Sequence, residues 1–188
     1  MEYNLQKLYI KRKLISSEDI KRLISDNLYF RPGSVVNYNE QTGQKNSLVN
    51  PSSRKCVIAP VRPENYPDLC NQILDIIPLW NDSLFKDQYK IGELQYVKYV
   101  QGDFFKMHRD AIDQPGEEIR RIFSTSTILS KSDDLSGGEF WIKGNDQGVH
   151  PVPLEVGETL FFDSRSFHQV SGINKGTRDA LVAWIWKK

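Results

Sequence analysis

The chain carries the hexapeptide FKMHRD at residues 105–110, which places His108 and Asp110 two positions apart. A second histidine, His168, follows sixty residues later, and Arg178 comes ten residues after that. Successive side chains of a strand alternate between its two faces, so His108 and Asp110 share a face if this segment is extended. Two imidazoles and one carboxylate are then available to a single metal ion.

The sequence around these residues decides how they are interpreted, because His-x-Asp tripeptides also arise by chance. The segment LQYVKYV at residues 94–100 alternates and is rich in aromatic and β-branched residues, as a strand should be. His168 follows the apolar run TLFF at residues 159–162, and Arg178 precedes ALVAWIW at residues 180–186. The candidate ligands therefore lie at strand ends. This pattern predicts a metal site with open positions, which is typical of non-haem Fe(II) oxygenases.

Further motifs follow one another in a recognisable order. The pattern YxxGxFFxxHxD spans residues 99–110, GGEF occupies residues 137–140, and PLEVGETLFF occupies residues 153–162. Together with the spacing over residues 168–184, these motifs resemble the 2-oxoglutarate-dependent dioxygenases of the prolyl 4-hydroxylase type. The resemblance covers roughly residues 92–187. The N-terminal half matches more loosely, as a helix, a polar loop and a second helix.

The resemblance implies Fe(II) as cofactor and 2-oxoglutarate and O2 as cosubstrates. It implies that His108, Asp110 and His168 are the iron ligands. The far carboxylate of 2-oxoglutarate needs a buried cation, because its desolvation would otherwise be prohibitive. Arg178 stands at the family position for that cation, and a guanidinium can donate two parallel hydrogen bonds to a carboxylate.

Three more residues are assigned to the cosubstrate pocket. Tyr99 matches a family tyrosine that donates its hydroxyl to the cosubstrate, although strand alternation turns it away from the metal unless a bulge near Gly102 resets the register. A core aromatic is the alternative for Tyr99. Trp184 has the parity of Arg178 and is expected to form a pocket wall. Thr127 is the residue whose hydroxyl is assigned to the cosubstrate. Thr125, two residues earlier on the same face of the strand, is the alternative.

The expected fold is mainly β with flanking helices. Many short strands separated by glycine-containing turns predict a sandwich or jelly roll. The resemblance implies a double-stranded β-helix, packed by N-terminal helices, with the iron inside one open end. The expected strands are approximately 92–101, 119–130, 138–143, 149–155, 159–163, 167–172 and 178–187.

The chain is expected to form one domain over residues 1–188, with a helical and loop part at about 1–90 and a β core at about 91–188. The polar segment 37–56 is either a loop or a long hairpin. In the resembling family a flexible loop here closes over the substrate, and Arg54 would meet the site at its end. Other expected helices begin near Ser16, which is an N-cap candidate, and near Pro67.

The overall composition argues against some classes of binding partner. The chain has 25 Lys and Arg against 24 Asp and Glu, which leaves no strong overall field to recruit nucleic acid or a membrane. It contains no apolar run of membrane-spanning length, and residues 1–7 lack the apolar core of a secretory signal. Cys56 and Cys70 are expected to remain thiols in a reducing compartment, with a disulfide between them as the alternative. We therefore expect a cytoplasmic protein.

The activity that the resemblance implies is hydroxylation of a C–H bond, coupled to conversion of 2-oxoglutarate to succinate and CO2. The expected substrate is a prolyl residue of a peptide or protein, since the layout resembles the prolyl hydroxylase branch. Arg54 and Arg109 are assigned to substrate contacts, the latter because it lies between two ligands at the mouth. His150 has no partner at ligand spacing and is expected to be an ordinary strand or turn residue.

Three alternatives remain open. A free amino acid or another small molecule is the first alternative substrate. A nucleic-acid demethylase is the second, but that branch carries a further arginine six residues after the first, where this chain has Trp184. The third is a jelly-roll binding module without activity, which would be expected to lose a ligand or the cosubstrate arginine.

Overall fold

The computed structural model describes residues 8–38, 45–111 and 121–188. Within these ranges the N-terminal strands are β1 (Ile10–Lys13), β2 (Arg31–Pro32), β3 (Val35–Tyr38), β4 (Lys45–Leu48), β5 (Arg54–Lys55) and β6 (Val57–Val61). The helices are α1 (Ser17–Ser25), α2 (Pro67–Leu74) and α3 (Ile77–Trp80), with 3-10 turns at Pro63–Asn65 and Lys86–Gln88. The remaining strands are β7 (Tyr89–Tyr99), β8 (Phe104–His108), β9 (Arg121–Lys131), β10 (Ser136–Gly137), β11 (Phe140–Lys143), β12 (Val149–Val152), β13 (Glu158–Asp163), β14 (His168–Val170), β15 (Ile173–Lys175) and β16 (Arg178–Lys187).

Two antiparallel sheets face each other. The larger has seven strands in the order β1-β13-β9-β16-β7-β6-β2, and the smaller has five in the order β12-β11-β14-β8-β5. Their inner faces share one buried apolar cluster, which includes Ile58, Val97 and Phe162 from the larger sheet and Phe140, Ile142 and Val170 from the smaller. Most neighbours in the two sheets are not consecutive in the chain, as expected for a jelly roll; β6 with β7 and β11 with β12 are the consecutive pairs. The expected mainly β fold with a jelly-roll core is confirmed.

The helices cover the outer face of the seven-stranded sheet. Ser16 caps α1 by accepting a hydrogen bond from the backbone N–H of Asp19 at 3.0 Å, as the sequence predicts. Pro78 lies in the first turn of α3, where its missing N–H costs nothing, so α2 and α3 are two short helices rather than one. None of the described helices is both long enough and apolar enough to cross a membrane.

The N-terminal half contributes strands as well as helices, which the sequence did not indicate. β1, β2 and β6 extend the seven-stranded sheet, and β5 forms one edge of the five-stranded sheet. These strands are two to five residues long, too short for period-2 alternation to be distinctive. In the segment 37–56 the hairpin alternative is the one present, because β3 pairs with β4. Residues 39–44 of that hairpin lie outside the described residues, so the substrate-lid prediction remains a prediction.

Phe161 provides a test of the packing between the helices and the large sheet. Its side chain is fully buried, with ring centroids 4.8 Å from Phe123 and 5.8 Å from Trp80. We expect Phe161→Ala to lower the free energy of unfolding by about 3–5 kcal/mol, because it leaves a cavity and removes two aromatic contacts. Urea unfolding measures this loss. Phe85→Ala, at a ring that is 65% exposed, is the control and should change stability by less than about 0.5 kcal/mol.

Candidate active site

Three metal-ligating side chains meet at one end of the space between the sheets. The candidate ligand atoms of His108, Asp110 and His168 all lie within 4.8 Å of one another. The carboxylate lies between the rings, with 3.6 Å from Oδ1 to His108 Nε2 and 3.6 Å from Oδ2 to His168 Nε2. Two imidazole nitrogens and one carboxylate on one side of a centre fit a divalent transition metal with open positions opposite.

Strand pairing and backbone hydrogen bonds hold these ligands in place. β8 and β14 are neighbours, and His108 pairs directly with His168. The Nδ1 atom of each ring lies 2.8 or 2.9 Å from the backbone carbonyl two residues before it, at Lys106 and Ser166. An Nδ1–H that donates to a carbonyl leaves Nε2 with the lone pair, which is the tautomer a metal needs. The metal-facing nitrogens are therefore selected by the backbone itself.

Aromatic rings fix the planes of both imidazoles. Phe105 stacks on His108 with centroids 3.5 Å apart, and Phe140 lies nearly parallel to the His168 ring at 5.5 Å. Each phenyl ring restricts rotation of the imidazole beside it without competing for its nitrogens.

The electrostatic environment favours the forms that bind metal. Burial lowers the pKa of His168 to about 4, so this imidazole is neutral near pH 7. Burial alone would raise the pKa of Asp110, but the nearby His168 and His108 and a hydrogen bond from Ser124 together lower it below its usual range. A neutral histidine and an ionised carboxylate do not have to lose protons before a cation binds.

A buried cation lies in the same cavity as the metal ligands. Arg178 opens β16, is 3% exposed, and has an Nη2 with no hydrogen-bond partner among the described residues. Its guanidinium carbon lies 5.5 Å from the ring centroid of Tyr99, its partner across the strand pair. Burial lowers the pKa of Arg178 from its ordinary value, yet a guanidinium stays protonated at neutral pH. An unpartnered buried guanidinium fits a ligand carboxylate.

Tyr99 lines this cavity, although alternation along one strand predicted that its side chain would point to the face opposite that of His108. The two residues belong to different sheets, because the chain turns at residues 100–103 and passes from β7 to β8. Gly102 has a φ of 83°, and the Asp103 carboxylate accepts from the backbone N–H of Val100 at 3.0 Å. Parity within one strand therefore does not apply. Burial raises the pKa of Tyr99 to about 12, which keeps its hydroxyl a donor.

The placement of Thr127 corrects the expectation from the sequence. Its hydroxyl lies 2.7 Å from that of Thr159, and both are buried. In β9, Thr125 and Thr127 are paired with Phe161 and Leu181, whose side chains belong to the helix-covered core. Directly opposed residues in antiparallel strands lie on one face, so Thr127 points away from the metal, and it does not line the cavity. Ser126 and Thr125, the alternative that the sequence left open, are the residues of this strand that line the cavity.

Trp184 forms a wall of the cavity, on the same face of β16 as Arg178. The guanidinium of Arg121 lies 4.3 Å above its ring and pairs with Glu93 at 2.9 and 3.1 Å. This pair covers the outer surface of the indole. The sequence predicts the tryptophan from parity, but not the ion pair, because the two charges are 28 residues apart.

Arg54 lies at the cavity, but most of its polar atoms are already engaged. Nε, Nη1 and Nη2 donate to Cys56 Sγ at 3.1 Å, the Ser34 carbonyl at 3.1 Å and Gln95 Oε1 at 3.0 Å. The guanidinium carbon also lies 4.5 Å above the ring of Phe105, the ring that stacks on the first histidine. Arg54 therefore packs on the phenyl ring that orients His108. Both cysteines are free and buried, as expected.

Arg54→Met is expected to lower the free energy of unfolding by about 1–3 kcal/mol, because it leaves partly buried acceptors on Ser34 and Gln95 without a donor. Arg54→Lys should recover little of this, since one ammonium group cannot reach three acceptors or stack on Phe105. Chemical unfolding of the metal-free protein measures both losses. The exposed Arg31→Met serves as the control, and an equal effect from it would contradict the supporting role.

The structure also describes the surroundings of Arg109 and His150. Arg109 is exposed, with its guanidinium carbon 4.8 Å from the ring centroid of Phe167, and it is not among the residues that line the metal cavity, so its assignment to the substrate stays a prediction. His150 lies away from the metal ligands, and its Nε2 is 3.0 Å from the Asp146 carboxylate. It has no further ligand near it in the described part of the chain.

Comparison with known proteins agrees with this site. A model of the 2OG-Fe(II) oxygenase superfamily matches residues 94–186. A PKHD-type hydroxylase of Acinetobacter baumannii is 31% identical over 126 residues, which cover 62% of this chain and 55% of that protein. One from Cupriavidus pinatubonensis is 33% identical over 94 residues, which cover 48% and 41% of the two chains. The chain thus spans about half the length of the curated relatives it matches.

Solved structures share the fold over nearly the whole chain. A viral collagen prolyl hydroxylase from Paramecium bursaria Chlorella virus-1, in complex with 2-oxoglutarate, has a TM-score of 0.66 at 16% identity and covers 97% of each chain. A prolyl-4-hydroxylase from Pseudomonas putida has a TM-score of 0.64 at 18% identity, covering 96% of this chain and 92% of that one. At this identity the match describes the fold.

Proposed function

We propose that this chain, which belongs to the 2OG-Fe(II) oxygenase superfamily, is a member of its prolyl 4-hydroxylase-like branch and hydroxylates a C–H bond of a peptidyl proline. The reaction would consume 2-oxoglutarate and O2 and release succinate and CO2. The observation that carries the proposal is the joint presence, in one cavity, of a His-Asp-His face and the unpartnered guanidinium of Arg178. A binding module without activity has no need of both.

A few side chains of this protein would hold the metal ion. His108, Asp110 and His168 would hold Fe(II), and their Nδ1 contacts and stacked rings keep the three donors in place before the ion arrives. Bound Fe(II), together with 2-oxoglutarate and O2, supplies the oxidant for the C–H bond. The protein contributes ligand geometry, an open face and shielding from water.

Arg178 and Tyr99 would receive the cosubstrate. The guanidinium would bind the far carboxylate of 2-oxoglutarate in a site that is closed to water, where a charged hydrogen bond is strong. The Tyr99 hydroxyl, un-ionised at neutral pH, would donate to the same ligand. Trp184 would form the wall beside it, and Ser126 or Thr125, rather than Thr127, would supply a hydroxyl on that side.

The substrate assignment is supported by the kind of protein that shares the fold. Two of the similar solved structures are named as prolyl hydroxylases. We therefore propose a peptide or protein partner that presents a proline to the cavity that holds the metal ligands. Cytoplasmic localisation remains part of the proposal, and the two free thiols are consistent with a reducing compartment.

The test is turnover with defined substrates. We would incubate the wild type with Fe(II), 2-oxoglutarate and O2 and add a Pro-Pro-Gly repeat peptide, free L-proline or an oligonucleotide with a methylated base. Succinate formation with gain of one oxygen atom on the peptide is the expected result. If only free proline or only the oligonucleotide were modified, that molecule would replace peptidyl proline as the proposed substrate. If no succinate formed and no 2-oxoglutarate bound, the proposal that this chain is an oxygenase would be wrong. His150→Ala should behave as wild type, because this histidine lies outside the site.

A further inference from the structure

One amide side chain in the metal cavity has a fixed orientation. Gln95 on β7 lines the cavity, and its Oε1 accepts a hydrogen bond from Arg54 Nη2 at 3.0 Å. A guanidinium carries donors only, so the oxygen of the amide has to be the atom that faces Arg54. The Nε2 atom of Gln95 has no acceptor among the described residues. Its two N–H groups are therefore left for a ligand.

Buried contacts hold Arg54, and through it the amide. Arg54 is 7% exposed, and its other two nitrogens donate to Cys56 Sγ and to the Ser34 carbonyl, each at 3.1 Å. Its guanidinium carbon also lies 4.5 Å from the ring centroid of Phe105. The N–H groups of Gln95 are thus oriented before a ligand arrives, and this lowers the entropic cost of binding.

Strand register places Gln95 between the metal ligands and Arg178. Gln95 pairs with Val182, which lies two residues before Trp184 and four residues after Arg178 on β16. Ser124, which pairs with Trp184 from the other side, donates a hydrogen bond to the carboxylate of the metal site. At a rise of about 3.3 Å per residue, Gln95 is about 7 Å along the strand from the level of this carboxylate and about 13 Å from the level of Arg178.

Exposure along β7 shows which end of the cavity is closed. The side chain of Glu93 is 42% exposed, whereas Val97 and Tyr99 are 1% and 3% exposed. Even spacing places these residues and Gln95 on one face of the strand. The mouth therefore lies at the Glu93 end and the closed part at the Tyr99 end. A ligand that reaches from the metal into the closed part has to pass Gln95.

A 2-oxo acid with a second carboxylate fits these donors. The buried Arg178, whose Nη2 has no partner among the described residues, accounts for the far carboxylate of 2-oxoglutarate. The 2-oxo acid end chelates a divalent ion through two oxygens, which leaves one oxygen of the near carboxylate without a cation. A carboxylate oxygen that is removed from water needs a hydrogen-bond donor, and a bond to a charged group is strong.

We propose that the Gln95 amide donates to the carboxylate of 2-oxoglutarate that adjoins the 2-oxo group. Arg54 orients that amide, which explains why a buried guanidinium with all its nitrogens engaged lies at the cavity. The inference rests on the proposed function, because it assigns a second residue to its cosubstrate. It does not depend on the identity of the substrate that is hydroxylated.

Gln95→Glu separates binding from structure. The new carboxylate still accepts from Arg54, so the ligand-free protein should unfold in urea with a free energy equal to or above that of the wild type. The same change replaces the donor by a negative charge. We therefore expect 2-oxoglutarate binding, measured by isothermal titration of the full chain saturated with Mn(II), to weaken by about 100-fold or more. Gln95→Met removes the donor without adding a charge and should weaken binding by about 10- to 100-fold.

Two controls assign the effect to this amide and to one end of the ligand. Gln169→Glu makes the same chemical change on β14, at a residue that pairs with Trp141 and does not line the cavity, and it should bind as wild type. The second control is the ligand 2-oxobutanoate, which is 2-oxoglutarate without its far carboxylate. Gln95→Glu should weaken its binding by about tenfold or more, whereas Arg178→Met should leave it unchanged.

The outcomes separate this inference from the proposed function. Equal affinity of the wild type and Gln95→Glu for 2-oxoglutarate would make the inference wrong and leave the oxygenase proposal intact. Joint loss of stability and affinity in Gln95→Glu would make Gln95 only a structural partner of Arg54. Weaker binding of 2-oxoglutarate but not of 2-oxobutanoate would move the amide to the far carboxylate, which also contradicts the inference. If the wild type bound no 2-oxoglutarate, the proposed function itself would be wrong.

Discussion

Asp110→Ala is expected to abolish both metal binding and turnover. Its carboxylate oxygens lie 3.6 Å from the Nε2 atoms of His108 and His168, so they supply the third donor of the face. Changing a residue that only supports a ligand already costs about 10- to 100-fold in metal affinity or activity, and loss of a ligand should cost at least as much. We expect succinate formation to fall by at least about 100-fold.

The metal-free protein should respond differently to the same substitution. The Asp110 side chain is 8% exposed, but its neighbours lower the pKa of its carboxyl below the usual range, so the metal-free fold favours the ionised form. Without metal, Asp110→Ala should therefore lose only the stability that this preference supplies and unfold at a slightly lower temperature than the wild type. A wild-type protein with Mn(II) at about 100 times its dissociation constant gains about 2.7 kcal/mol, and the variant should gain none.

Thermal unfolding with and without Mn(II), carried out beside the succinate assay, measures both effects. Asp146→Ala is the matched control, because Asp146 contacts His150 at 3.0 Å in a histidine–carboxylate pair that has no third ligand. This variant should keep the metal-dependent gain and the turnover. If Asp110→Ala kept the gain in Mn(II), the metal would have to bind elsewhere.

The parts of the site that lie on single strands could be predicted from the sequence. Arg178 and Trp184 are six residues apart on β16, and even spacing places them on one face. The spacing of His108 and Asp110, with the resemblance of the surrounding motif, identified candidate ligands that the fold brings together. For Arg178 and Trp184 local patterns were sufficient because period-2 alternation survives within one unbroken strand, whereas Asp110 follows the end of β8 and was identified with the help of the resemblance.

The parts that depend on contacts between strands could not be predicted. Which face of β9 carries Thr127 depends on its register with β13 and β16, and that register includes a bulge. Tyr99 reaches the cavity because the chain changes sheets after it, a change that alternation cannot reveal. The partners of Arg54 are up to 41 residues away in sequence. Sequence could have pointed to Gln95, which has the parity of Tyr99 on β7 and lines the cavity.

Arg178→Met is expected to remove 2-oxoglutarate binding while leaving the fold intact. Truncating one partner of a buried, hydrogen-bonded charge pair costs about 2–5 kcal/mol, which corresponds to about 30-fold to a few thousandfold in affinity. Arg178→Lys should fall between this variant and the wild type, since it keeps the charge but loses the planar fork. Isothermal titration with 2-oxoglutarate in the presence of Mn(II) measures the three affinities.

The same substitution should not weaken the ligand-free protein, and this separates a binding role from a structural one. Arg178 is 3% exposed, and its Nη2 has no partner among the described residues, so in the absence of a ligand it is a buried charge that is incompletely compensated. Replacing such a charge with an apolar side chain of similar volume is often neutral or stabilising. We therefore expect urea unfolding of ligand-free Arg178→Met to give a free energy equal to or above that of the wild type. The exposed Arg62→Met is the control and should change neither stability nor binding.

Two outcomes would contradict a binding role for Arg178. Loss of both stability and binding would make Arg178 a structural residue, and unchanged binding would place the far carboxylate of 2-oxoglutarate elsewhere. A residue that is retained for cosubstrate binding is expected to lower the stability of the ligand-free protein and to raise its affinity for 2-oxoglutarate.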